Sequence, residues 1–180
     1  MIRHAWHFYY ALVLVIKVVC GSIVLRASHL NWALNGYEVK MNTKQLLQSA
    51  EKQLRIADRN QPFAVNWRSN FPHGGGVYVI WESGTPVYVG ETSGVHSRMG
   101  DQMRPVNHAF TKKVGIENEI SDLDLLRQYI SDTYQISFIG VDFGRSEIEE
   151  YLILRWRKTL INKPTTRLLK GEQYTWVEAV

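Results

Sequence analysis

Two tyrosines, Tyr78 and Tyr88, stand ten residues apart, and Arg98 follows after ten more. Downstream, Glu147, Glu149 and Glu150 crowd the start of a helical pattern. Each residue type has a definite use at a phosphodiester. An arginine offers phosphate oxygens a bidentate, permanently charged partner. A lone carboxylate can hold a hydrated Mg²⁺, which prefers oxygen ligands and keeps several of its waters. A tyrosine hydroxyl can position or deprotonate water when its surroundings permit. Hydrolysis of a phosphodiester needs all three services: an activated water, offset of charge on the phosphorus, and help for the leaving oxygen.

The elements that must hold these residues can be read from the local pattern. Two β-rich runs, 77–81 and 87–90, flank the polar turn 82–86 and predict a hairpin. Alternation puts Val77, Val79 and Trp81 on one face, with Tyr78 and Ile80 on the other. In the second strand Val87 and Val89 oppose Tyr88 and Gly90, a glycine that leaves room for a ligand beside the tyrosines. A helix from residue 94 or 95 to 103, with Ser93 as N-cap, carries Arg98.

Gly76-Val77-Tyr78, Tyr88-Val89-Gly90 and Arg98, at these spacings and with Glu91-Thr92-Ser93-Gly94 following, resemble the signature of the GIY-YIG nuclease superfamily. The resemblance covers residues 74–164. It implies an α/β domain with a small three-stranded sheet, mixed or antiparallel, flanked by helices, here with an N-terminal helical extension. It further implies a metal-dependent DNA endonuclease, in which Tyr78 and Tyr88 orient the attacking water and Arg98 contacts the phosphate. Glu149, with Leu152 and Ile153 after it, matches the glutamate that holds one divalent metal, Mg²⁺ or Mn²⁺. Asn162, thirteen residues on, matches an asparagine that pins the edge of the site. Glu150 is the alternate metal ligand, twelve residues from Asn162.

Two positions depart from the family pattern. Glu91 replaces a frequent lysine after the second glycine, and Gln102 stands where many members carry His or Tyr. His96, His108 or Tyr78 alone are the candidates to accept the water's proton, and His108 is also a substrate-binding candidate. The sequence places His108 in a loop as a surface residue, with no metal-binding partner nearby. The competing reading is a catalytically degenerate module of the same fold that binds nucleic acid or a protein.

Composition sets the frame. At 180 residues, 45% hydrophobic and 12% aromatic, the chain suits one folded domain with appendages. Cys20 is the single cysteine, so an intramolecular disulfide is excluded and a cysteine-based zinc site is disfavoured. This suits a cytoplasmic location. Of the net charge of +4, residues 1–40 carry +3, so bulk charge argues little for nucleic acid. Basic residues gather instead at Arg98, Arg104 and 155–170, which permits a locally positive face.

The chain divides into an apolar segment 1–40, a helical lead-in 41–73, the nuclease-like domain 74–168 and a tail 169–180. Residues 8–25 are almost wholly apolar but interrupted by Lys17, an expensive residue near the middle of a span. Three readings stay open: a stretch not native to the protein, with Met41 the initiator; a signal-like segment or membrane anchor; and a folded extension. A membrane partner follows only if this segment is native. Further along, the pattern predicts helices over 43–58 (capped by Asn42 or Thr43), 123–130 and 145–160, with Ser146 as the last N-cap and Glu149 at capping-box spacing. The run 134–141 is a third strand, apolar enough to be central.

Overall fold

The computed structural model describes residues 42–102, 107–171 and 174–180, with only the backbone given for 101–102, and the backbone of 14–18 and 21–25. Those two early segments, β1 (Leu14–Val18) and β2 (Gly21–Leu25), pair antiparallel, so this part of the apolar segment is a hairpin rather than a helix. The remaining expectations for 1–40 lie outside the described residues. No described helix is long and apolar enough to cross a membrane.

Helix α1 (Thr43–Ile56) begins with a capping box, the Asn42 side chain accepting from the backbone while Gln45 accepts from the Asn42 amide. Its apolar stripe, Leu47, Ala50 and Leu54, is buried. The sheet follows: β3 (Gly76–Glu82), β4 (Thr85–Thr92) and β5 (Tyr134–Gly140), all antiparallel in the order β4-β3-β5. Thus β3 is central and β5 lies at an edge, against the expectation from its apolar run. The edge is sheltered: Asn60 forms a bridge to Ile136, donating and accepting at 2.8 Å, and Ser137 donates to the Leu54 carbonyl at 2.9 Å. An apolar strand can therefore sit at an edge when other chain covers it.

The hairpin turn is shorter than the pattern suggested. Only Ser83 and Gly84 connect the strands, with φ of 49° and 82°, the paired positive values of a tight hairpin turn. A register shift beyond Ile80 pairs Trp81 with Pro86 and leaves Val87 as an extra residue. Simple alternation therefore fails at Val87, which lies with Tyr88 in one cluster while Val89 turns to the other.

The sheet separates two apolar layers. Against Val77, Val79, Trp81 and Ile139 pack α1, α5 (Arg145–Arg155) and the C-terminal residues Tyr174 and Val177. The other face carries Tyr78, Ile80, Tyr88, Ile136 and Phe138. It is covered by α2 (Val95–Gln102), α3 (Ala109–Glu117) and α4 (Leu123–Thr133), through Met99, Phe110, Val114, Leu126 and Ile130. Trp67 and Phe71, from the segment before β3, pack here edge-to-face, their centroids 5.5 Å apart. A short α6 (Thr166–Lys170) precedes the end.

Helix α5 departs from expectation at both ends. Its N-cap is Gly144, at φ 83°, not Ser146, so Glu149 has no capping duty. It stops at Arg155, and residues 156–159 continue as turns.

Candidate active site

The site is built on the second layer and one sheet edge. Tyr78 pairs across the strands with Gly90, and a Cβ there would come within 2.5 Å of the Tyr78 ring carbon Cζ. The space at Gly90 is therefore taken by the Tyr78 ring itself, not reserved for a ligand. The Tyr78 and Tyr88 rings lie stacked with centroids 6.3 Å apart. From α2, Arg98 Nε donates to the Tyr78 hydroxyl at 3.4 Å.

His108 corrects the sequence expectation most sharply. It is completely buried, and its Nε2 lies 2.9 Å from the Tyr78 hydroxyl. Its ring also sits 5.6 Å from that of Tyr88. The helix it introduces, α3, escaped notice because its buried positions include Thr111 and Gly115, which blur the apolar stripe. His108 Nδ1 is buried without a hydrogen-bond partner among the described residues. Burial, reinforced by the Arg98 charge, drops its pKa to about 3, so the imidazole is neutral.

Glu149 arrives from the opposite layer, at the edge strand. The outward-facing backbone groups of β4 lie at alternate residues. Ile161 donates to the Val87 carbonyl at 2.7 Å, and the Asn162 side chain donates to the Val89 carbonyl at 2.8 Å while accepting from its amide at 3.3 Å. Next in this row, the Glu91 backbone faces the Glu149 carboxylate and favours its charged form. Asn162 thus stands in for a neighbouring strand and holds β4 between Tyr88 and Gly90, with both ends of its amide engaged there.

Burial, together with the nearby Glu91 carboxylate, pushes Glu149 up to about 7; the Glu91 backbone and Arg98 oppose the shift. Burial likewise raises Tyr78 and Tyr88, and for both Arg98 pulls down while Glu149 pushes up. These mutual perturbations tie Tyr78, Tyr88, Arg98 and Glu149 to one place. Glu150 is engaged elsewhere: Arg167 pairs with it and the Tyr174 hydroxyl donates to it at 2.9 Å. Glu147 is exposed.

Glu91 itself is held by Arg145, Nε to carboxylate 3.2 Å, a pairing across 54 positions that sequence reading missed. No local pattern signals such a contact. Among the described residues no group of three or more His, Cys, Asp or Glu is arranged to hold a metal. A partly desolvated single carboxylate beside Glu91 fits a hydrated hard cation, which needs only one or two protein carboxylates. No protein-family model, curated protein or solved structure matches the chain.

Proposed function

We propose that the chain is a metal-dependent endonuclease of the GIY-YIG kind, acting on DNA. The observation that carries this is the convergence of Tyr78, Tyr88, Arg98 and Glu149, distant in sequence, with His108 buried against the first of them. Glu149 is the residue to hold a divalent ion, Mg²⁺ or Mn²⁺. Bound there, the ion offsets charge on the phosphate and on the leaving oxygen. Arg98 pairs with a phosphate oxygen, and its Nε also directs the Tyr78 hydroxyl.

Tyr78 is too buried to ionise readily, so it works as a neutral group that orients the water. Arg98 donates to its oxygen, and the same hydroxyl is hydrogen-bonded to His108 Nε2. As water attacks phosphorus, Tyr78 orients it through its hydroxyl, and the neutral His108 ring fixes that hydroxyl from the protein side.

The test is incubation of purified protein with supercoiled plasmid and branched DNA, with Mg²⁺, Mn²⁺ or EDTA. Nicking with metal and none with EDTA is expected; intact plasmid throughout sinks the proposal. One observation favours the second reading, a non-catalytic nucleic-acid-binding module: Tyr78 is fully buried, which restricts access to its hydroxyl. Binding without cleavage in the same assay would select it.

A further inference from the structure

We propose that the substrate carries an unpaired base beside the cut phosphate, and that Phe143 is the ring on which that base stacks. This rests on the nuclease proposal for the neighbouring phosphate but is tested separately from it. Phe143 is 66% exposed, whereas the other described phenylalanines, Phe63, Phe71, Phe110 and Phe138, are buried or half-buried. A single exposed apolar side chain is ordinary. This one is presented by a braced loop. Arg145 Nη1 donates to the carbonyls of Val141 at 3.3 Å and Asp142 at 3.0 Å, while its Nε pairs with Glu91. On the other side the Val141 amide donates to the Gly75 carbonyl at 2.9 Å.

The loop also lies beside the proposed chemistry. It leads directly into α5, and Glu149 follows four residues after Arg145, about 6 Å along a helix axis. The segment leading into β3 that braces it, 72–75, contacts α2 as well: Gly74 accepts from the Val95 amide at 2.9 Å and Pro72 from the His96 amide at 3.0 Å. There His73 and His96 stack at 4.4 Å with their planes 23° apart. A Cβ at Gly74 would meet nothing within 4 Å, so the backbone there is open, whereas one at Gly75 would meet Arg145 Nη1 at 2.7 Å. An exposed ring on a braced loop, bonded to a segment that carries a stacked histidine pair and the open Gly74, suits an extruded base. An intact duplex buries its base faces and has no use for the ring.

The experiment uses the full chain in EDTA, with 2-aminopurine as the unpaired base of a one-nucleotide bulge or a short flap, against the fully paired duplex. Wild type should bind the unpaired substrates about 5- to 150-fold more tightly, the effect of one base–ring stack, with quenched fluorescence. Phe143→Ala should erase the preference and the quenching, and Phe143→Trp should keep both. Equal binding of all substrates by wild type, or a Phe143→Ala variant that retains the preference, overturns the inference. Parallel cleavage in Mg²⁺ separates the two proposals. Cutting without a Phe143-dependent preference leaves the nuclease standing alone, and stacking without cutting leaves only the base site.

Discussion

The Tyr78 hydroxyl lies 2.9 Å from His108 Nε2, thirty residues away, inside a fully buried pair. With Arg98 donating to the same hydroxyl, Tyr78 is held from two sides. Because His108 fixes the hydroxyl that orients the water, His108→Gln should lower the rate by about 10²-fold, the cost of a misplaced reacting group, with binding in EDTA retained. Single-turnover cleavage at saturating protein reads this, and an unchanged rate would remove His108 from the chemistry.

The same residue governs an acid response. Because the folded pKa of His108 lies near 3, below the ordinary value of 6.5, the folded state resists protonation there. Its contribution to stability is intact above about pH 6.5 and fades as pH falls towards 3. His108→Gln should therefore lose less stability than wild type between these limits. Thermal melts across that window check it; parallel curves would show that His108 titrates normally.

Arg98→Ala should cost about 10²- to 10³-fold in cleavage, the scale of one lost electrostatic contact at a transition state. Arg98→Lys should recover little, since an ammonium cannot reproduce the planar fork that meets both the phosphate and Tyr78. Near-normal rates for the lysine variant would mean that charge alone suffices.

Glu149→Gln should abolish cleavage and leave folding intact. Glu150→Gln should cut normally but melt earlier, by about 1 kcal/mol, because it weakens the contacts with Arg167 and Tyr174. The Glu149 pKa, raised to about 7 from 4.5, makes the folded state bind more protons than the unfolded chain between those values. Metal-free stability thus falls as pH rises through this window, and Glu149→Gln should out-melt wild type at pH 8 but not below pH 4.5. A dead Glu150→Gln beside an active Glu149→Gln would reverse the assignment.

Gly90→Ala should destabilise the protein by about 1–3 kcal/mol and disturb the site together, because its methyl meets the Tyr78 ring across the strands. Denaturant melts and the cleavage rate report the two effects. A stable, fully active variant would show that the ring has room to shift.

The hairpin and helix α1 with its Asn42 cap are legible in the sequence because strand alternation, helix periodicity and capping act over a few residues. Local signals also place Tyr78 on a defined strand and Arg98 on a helix. They could not place Val87, because the bulge depends on how the partner strand registers. Nor could they demote β5 to an edge, since what shelters it, Asn60 and α1, comes from far upstream. His108 looked like a loop residue because its burial is created by α3 and the sheet together. The choice between Glu149 and Glu150 was likewise beyond local pattern: adjacent helix positions point about 100° apart, and only packing decides which meets β4 and which meets α6. Short-range preferences determined the pieces, and long-range burial and edge hydrogen bonding decided which polar groups share a site.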